Sequence, residues 1–108
     1  MAHTQQTVNL GAGAGKTLDL GAEYNYADIA AIGGEMWYRL STGTSAPADP
    51  AATPAPAAGS VASGWMRLDA ATGKTHGVNG GGAPVLKVRF IEVWAVGAGT
   101  LSVAASSV

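Results

Sequence analysis

The sequence predicts an all-β protein, an antiparallel β-sandwich or jelly-roll-like barrel of about seven or eight short strands with long loops. Two observations predict this class. The 108 residues include 16 glycines and 5 prolines, which divide the chain into short segments. Such frequent breaks suit strands and turns better than helices. Several of the segments also alternate between apolar and polar residues, which is the period of a strand with one buried face.

The chain begins with two strand candidates separated by a glycine-rich stretch. Residues 7–10 and 16–20 have the composition of short strands, and the second alternates clearly. Residues 11–15 between them predict a turn. Two short strands around such a turn predict a β-hairpin.

The next two segments lead to the clearest strand of the first half. We expect a strand at residues 27–32 with a short helix close behind it, the alternative being a single helical turn capped by Asp28. Residues 35–41 alternate throughout. One face of this strand carries Met36, Tyr38 and Leu40, and the other carries Trp37, Arg39 and Ser41.

Two further strands are expected in the second half. Residues 61–69 resume strand character, and residues 85–96 form the best strand candidate. Within the latter the apolar phase slips by one residue, which predicts a bulge or bend near Phe90-Ile91. A glycine turn then leads into residues 100–104, which predicts a C-terminal hairpin.

The length predicts a single β-domain over residues 1–108. We expect residues 1–6 to be a flexible N-terminal arm and residues 105–108 to be a tail. The strongest change in composition is at residues 42–60, a Pro/Ala-rich stretch that we expect to be an extended loop, because proline lacks a backbone donor and fixes φ. A glycine-rich loop is expected at residues 70–84, with local pairing near residues 75–78.

Composition excludes several classes of protein. The chain has no cysteine, so neither a disulfide framework nor a thiolate metal site is possible. Lys and Arg total six and are scattered, so no nucleic-acid partner is expected. No secretory signal and no membrane-spanning segment are expected either, because no apolar stretch is long and uncharged enough. With only 12% charged residues and a net charge of −1, the surface is expected to associate with a partner or with further copies.

A nucleotide-site look-alike lies at Gly11-Ala12-Gly13-Ala14-Gly15-Lys16-Thr17. A phosphate-binding loop requires a further glycine five positions before Gly15, where this chain has Leu10. Such a loop also opens a helix, whereas the residues after Thr17 alternate like a strand. We therefore interpret this stretch as a turn between strands and expect no cofactor.

No set of residues predicts catalysis. The two histidines, His3 and His76, lack the convergent partners that a metal site needs. Acids such as Asp28, Glu35 and Asp69 are spread singly, and no nucleophile motif is present. The sequence thus predicts no catalytic, metal or cofactor site and no enzymatic activity.

Three tryptophans, Trp37, Trp65 and Trp94, all lie in predicted strands. On simple alternation each is on the face opposite the main aliphatic residues of its strand. The ordinary interpretation is sheet packing, since aromatic side chains bury large areas. The functional alternative is that they are interface anchors.

The chain resembles the small virion proteins of tailed bacteriophages that decorate or cement capsids. Three features carry the resemblance: the strand and turn over residues 34–44, the Pro/Ala-rich excursion after it, and residues 93–103. The resemblance implies a β-sandwich or jelly-roll-like homo-oligomer, a dimer or trimer, that binds the major capsid protein on the outer surface of the virion after synthesis in the host cytoplasm.

A cement or decoration protein is accordingly the leading hypothesis for function. A tail or head–tail adaptor component, and a carbohydrate- or receptor-binding β-module, are the alternatives. The candidate interface residues are Trp37, Trp65, Trp94, Pro47, Pro50, Pro54, Pro56 and Lys16.

Overall fold

The computed structural model describes residues 3–51, 65–77 and 87–107. Eight strands lie in these ranges: β1 His3–Leu10, β2 Gly15–Tyr24, β3 Tyr26–Ile32, β4 Met36–Ser41, β5 Met66–Leu68, β6 Thr72–Gly77, β7 Val88–Ala95 and β8 Gly99–Ser106. They form two four-stranded sheets, in which all pairings are antiparallel. Sheet 1 has the order β1-β8-β3-β6, and sheet 2 has the order β2-β7-β4-β5. The predicted all-β fold is confirmed, with the architecture of a β-sandwich.

The core lies between the two sheets and follows the alternation of the sequence. In β4, Met36 and Tyr38 are fully buried in this core, as the pattern predicts. Sheet 1 contributes Ala27, Ile29, Ala31, Leu101, Val103 and Ala105, and sheet 2 contributes Leu18, Leu20, Leu68, Val88, Ile91, Val93 and Ala95. Half of the residues named for sheet 1 are alanines, whereas those of sheet 2 are mostly larger, and together they fill the gap between the sheets.

Both predicted hairpins are wrong. The turn at residues 11–14 connects β1 in sheet 1 to β2 in sheet 2, so these strands are not hydrogen-bonded neighbours. The turn at residues 96–98 likewise connects β7 in sheet 2 to β8 in sheet 1. A turn of small residues can connect two strands of one sheet or cross from one sheet to the other. Here the crossing is favoured because it buries the apolar faces of the strands between the two sheets.

The predicted phase slip in β7 is found. Val88 and Ile91 both face the core, so the side-chain alternation changes between them. The register with β2 shifts at the same place, where Asp19 is opposite Phe90 and Tyr24 is opposite Val88. Residues 20–23 of β2 therefore face Arg89 alone, so the extra residues of this irregularity lie in β2 rather than in β7.

Other local expectations are corrected. The strand at 27–32 is confirmed, but residues 33–35 join it to β4 without the expected helix. Residues 72–77, expected within a loop, form β6 and pair with β3 rather than locally. The expected arm is strand from His3 onward, and the expected tail is strand as far as Ser106, because β1 and β8 pair along their full lengths.

The remaining expectations are met only in part. Of the strand expected at 61–69, residues 66–68 are strand and residues 61–64 lie outside the described ranges. Residues 42–51 are irregular, as expected for the proline-rich loop, and the rest of that loop lies outside the described ranges. Within residues 3–51, 65–77 and 87–107, no helix has the length and apolar character needed to cross a bilayer.

Candidate functional site: the outer face of sheet 2

Sheet 2 has a second apolar surface on its outer face. The antiparallel register of β4 and β7 places Trp37 opposite Trp94, Arg39 opposite Glu92, and Ser41 opposite Phe90. These side chains alternate with the core residues of the same strands, so they point away from sheet 1. We call this surface the tryptophan face and define it by Trp37, Arg39, Ser41, Trp65, Phe90, Glu92 and Trp94.

An ion pair forms the centre of the tryptophan face. The Arg39 guanidinium donates from Nε to Glu92 Oε1 and from Nη2 to Glu92 Oε2, both at 2.9 Å. The Glu92 side chain is only 6% exposed, whereas that of Arg39 is 39% exposed. The hydrogen bonds to Glu92 raise the pKa of Arg39, so this guanidinium remains charged. A bidentate pair of this kind fixes both side chains in one geometry.

Arg39 also connects the ion pair to an aromatic ring. Its guanidinium carbon lies 4.9 Å from the centre of the Trp65 ring. This is cation–π contact, and it holds Trp65, which precedes β5, against β4. Trp65 and Trp94 remain partly exposed, whereas Trp37 and Phe90 are buried. The face therefore has two partly exposed indole rings beside buried aromatic side chains and an ion pair between β4 and β7.

Two buried polar atoms on this face have no hydrogen-bond partner among the described residues. They are the indole Nε1 of Trp37 and the hydroxyl Oγ of Ser41. An unpaired buried donor costs free energy, so both atoms lower the stability of the fold. Both residues lie on β4, one on each side of Arg39, so the two unpaired atoms flank the ion pair.

Part of the proline-rich segment covers β2 beside this face. The Thr17 backbone N–H donates to Asp49 Oδ1 at 2.7 Å, and its hydroxyl donates to the carbonyl of Ala48 at 3.2 Å. A side chain at Gly15 would collide with the backbone of Pro50, so this strand position requires glycine. Gly15 is the cross-strand partner of Trp94, which places Pro50 on the same side of the sheet as Trp94.

The structure brings together some of the predicted interface residues and separates others. Trp37, Trp65 and Trp94 share the tryptophan face, and Pro50 lies on the same side. Pro47 is partly buried on the same segment. Pro54 and Pro56 lie outside the described residues. Lys16 is exposed and is paired with the core residue Val93, so its strand position faces away from Trp94.

The look-alike stretch at residues 11–17 is a turn followed by a strand, as predicted. Residues 11–14 form the turn, and Gly15, Lys16 and Thr17 belong to β2. The turn is anchored to the end of β7, since Gly13 N–H donates to the carbonyl of Ala95 at 2.7 Å. Gly13 has a φ of +77°, and this left-handed conformation is what favours glycine at the turn.

Alternation places Arg39 on the side of Trp37, but the interface residues predicted from the sequence include neither Arg39 nor Glu92. A signal for them is nevertheless present, because β4 reads Trp37-x-Arg39 and β7 reads Glu92-x-Trp94. Antiparallel strands that pair the two tryptophans must also pair the two opposite charges. Once the two strands are known to be neighbours, this mirrored spacing predicts both the tryptophan pair and the ion pair.

A second polar contact lies between the sheets, at the β5 and β6 edge. The Tyr38 hydroxyl is 2.5 Å from His76 Nε2, and the two rings meet edge to face. Burial raises the pKa of Tyr38 to about 12. Burial, with a smaller contribution from Lys74, lowers the pKa of His76. Neutral His76 therefore accepts from the Tyr38 hydroxyl, and this bond joins sheet 2 to sheet 1.

The chemistry that these groups supply is that of binding. Among the described residues, no group of three His, Cys, Asp or Glu side chains is placed to hold a metal ion. The tryptophan face supplies two partly exposed aromatic rings and a fixed ion pair, which are groups found in protein interfaces. No protein-family model, curated protein or solved structure matches this chain.

Proposed function

We propose that this protein is a non-enzymatic structural component of a virion, a cement protein that binds the major capsid protein and stabilises the shell. The resemblance of the sequence to capsid decoration proteins suggests the partner, and the tryptophan face supports the mode of binding. The observation that carries the proposal is the pair of partly exposed rings, Trp65 and Trp94, set around the partly buried Arg39–Glu92 pair.

The tryptophan face has the features of an energetic centre of an interface. Tryptophan and arginine are the residue types that most often contribute strongly to binding when a partner excludes water from them. The ion pair holds these side chains before binding, so little conformational entropy is lost when a partner arrives.

The test is binding of the purified protein to purified shells that lack it, measured by co-sedimentation. Trp94→Ala and Trp65→Ala should each weaken binding by at least about fivefold, the effect of losing a moderate interface contact. Ile32→Ala is the matched control, because Ile32 is a large apolar side chain on sheet 1 that is 57% exposed. This variant should bind as the unaltered protein does.

Two outcomes would overturn the proposal. One is absence of the protein from purified virions by mass spectrometry, and the other is shell binding that is insensitive to both tryptophan substitutions. Copy number separates the related alternative, since a tail or adaptor component would be present in few copies and a cement protein in many. Quenching of tryptophan fluorescence by a host glycan, without binding to shells, would favour a carbohydrate-binding module.

A further inference from the structure

The two sheets described here have four edge strands, and three of these are short, charged or covered. The edge of β2 is covered by residues 48–50, which accept from Thr17 and lie over Gly15. β5 is only three residues long. β6 carries the exposed Lys74, a residue type that protects an edge from pairing. These are the usual ways in which sheet proteins prevent unwanted strand addition.

The fourth edge, β1, has none of these protections among the described residues. It pairs with β8 along all eight residues without a bulge, and no strand described here pairs with its other side. Its sequence from His3 to Leu10 contains no proline, lysine, arginine or acid. About four of its residues direct their backbone N–H and C=O groups to the open side.

Side-chain hydrogen bonds also anchor β1 to both neighbouring strands, β2 and β8. The Gln6 side chain donates to the backbone carbonyl of Asp19 on β2 at 3.0 Å, which joins the edges of the two sheets. The Thr100 hydroxyl donates to Asn9 Oδ1 at 2.5 Å from the neighbouring strand. Val8 and Leu10 pack against the core but are only partly buried, so they leave apolar surface at this edge.

We propose that β1 is a homodimer interface, at which it pairs antiparallel with β1 of a second copy of this chain. Pairing about a two-fold axis near Gln6 and Thr7 would join the two copies of sheet 1 into one eight-stranded sheet. It would satisfy the open backbone groups of both edges and bury the remaining surface of Val8 and Leu10 from each copy. Because β1 is uncharged apart from His3, no like-charge repulsion opposes this pairing.

A second copy is the occupant that the strand itself favours. An axis at Thr7 places Thr7 opposite its own equivalent and Gln5 opposite Asn9, and all of these are exposed polar residues that can hydrogen-bond across strands. An axis at Gln6 places Gln5 opposite Thr7, which is equally compatible. The edge is thus complementary to itself in length, polarity and direction, and the proposal does not depend on capsid binding.

The test is the oligomeric state of the purified full-length chain, measured by light scattering and sedimentation across a dilution series. The unaltered protein should be a dimer. Thr7→Lys and Thr7→Glu should each raise the dimer dissociation constant by at least about tenfold, because like charges then meet across the axis. An equimolar mixture of the two variants should restore the dimer, since opposite charges then face each other.

Thr75→Lys is the matched control, because Thr75 is an exposed threonine on β6, the opposite edge of the same sheet. It should leave the dimer intact, and circular dichroism should show that all three variants are folded. If the Thr7 variants fail to fold, Gln5→Lys with Asn9→Lys and Gln5→Glu with Asn9→Glu replace them, because these two positions face each other about an axis at Thr7. A monomeric unaltered protein, an oligomer insensitive to the β1 charges, or a mixture that does not reassociate would each overturn the proposal.

Discussion

The Arg39–Glu92 pair shows how much one buried carboxylate depends on one partner. Glu92 is 6% exposed in its side chain, so its solvation by water has been replaced by two charged hydrogen bonds. Arg39→Ala would leave this charge buried without a partner and should lower the free energy of unfolding by about 2 kcal/mol. Urea denaturation followed by tryptophan fluorescence measures the change.

Arg67→Ala is the control for that substitution. Arg67 pairs with Glu35 and Asp69, but its side chain is 53% exposed, so water solvates all three groups after the change. We expect a clearly smaller effect than for Arg39→Ala. Replacing both members of the buried pair with Arg39→Met and Glu92→Leu should recover most of the lost stability. Equal losses from the two arginine variants would contradict the argument.

His76 should make the stability of the fold dependent on pH. Burial lowers its pKa below the ordinary value of 6.5, so the unfolded chain binds a proton more readily than the folded chain. The stabilising contribution of neutral His76 is therefore complete above pH 6.5 and is lost as the pH falls through the lowered pKa. The free energy of unfolding, measured by denaturation above pH 7 and at about pH 5, should fall accordingly.

Two variants separate His76 from the other histidine. His76→Gln retains an acceptor for the Tyr38 hydroxyl but cannot titrate, so it should reduce the loss of stability in acid. His3→Gln changes the exposed histidine of β1 and should leave the pH dependence as it is in the unaltered protein. If His3→Gln and not His76→Gln removed the pH dependence, the assignment to the inter-sheet contact would be wrong.

At the scale of the element, residues 48–50 of the proline-rich segment cover the edge of β2, and the Asp49 side chain accepts from its Thr17 N–H. Asp49→Ala removes the acceptor of the Thr17 N–H and should make this amide exchange with solvent about tenfold faster. Hydrogen exchange followed by NMR measures it. Asp69→Ala, at an exposed aspartate beyond β5, is the control and should not change exchange at Thr17. Unchanged exchange in Asp49→Ala would mean that the segment does not protect this edge.

The elements also show how far sequence patterns predict this fold. The alternation of residues 36–41 was enough to place Met36 and Tyr38 in the core and Trp37 on the other face. The partner of a strand was not predictable in the same way, because a glycine turn has the same composition whether it stays in one sheet or crosses to the other. Both misassigned hairpins have this cause.

β6 was missed for a different reason. Its residues, Thr72 to Gly77, show no apolar alternation, and among residues 72–76 only His76 is partly buried. The strand exists because its backbone pairs with β3 along Tyr26 to Ala31. Backbone pairing with a distant strand leaves no mark on side-chain composition, so the sequence favoured a loop. The candidate site was affected similarly, since Arg39 and Glu92 are recognisable only after β4 and β7 are paired.

For the whole molecule, the decisive contact is between the two ends of the described chain. β8 is a central strand of sheet 1 and pairs with both β1 and β3. All described connections between consecutive strands except that from β4 to β5 cross from one sheet to the other. Neither sheet is therefore completed by pairing between strands that are close in sequence. Sheet 1 is complete only when β1 pairs with β8, which is distant in the sequence. Such non-local pairing is expected to make folding slow, in milliseconds to seconds.

A cross-link between β1 and β8 should consequently stabilise the fold strongly. Gln5 and Ala104 are direct cross-strand partners and lie on the outer face of sheet 1. Their Cα atoms should be about 4.5–5.5 Å apart, which is within the reach of a disulfide. Because the chain has no cysteine, Gln5→Cys with Ala104→Cys can form only this intramolecular bond. Closing so long a loop should raise the free energy of unfolding by about 4 kcal/mol.

The oxidised and reduced forms of this double variant provide the comparison, with non-reducing electrophoresis to exclude links between copies. Asn9→Cys with Ala104→Cys is the register control, because Asn9 is opposite Thr100 rather than Ala104. It should not form the intramolecular bond in the folded protein. A bond in the control and none at Gln5 and Ala104 would show that β1 pairs in another register. A disulfide that strained the native pairing would stabilise the protein less. Full stabilisation by the Gln5–Ala104 disulfide, with no bond in the control, therefore requires that β1 and β8 pair in the register described.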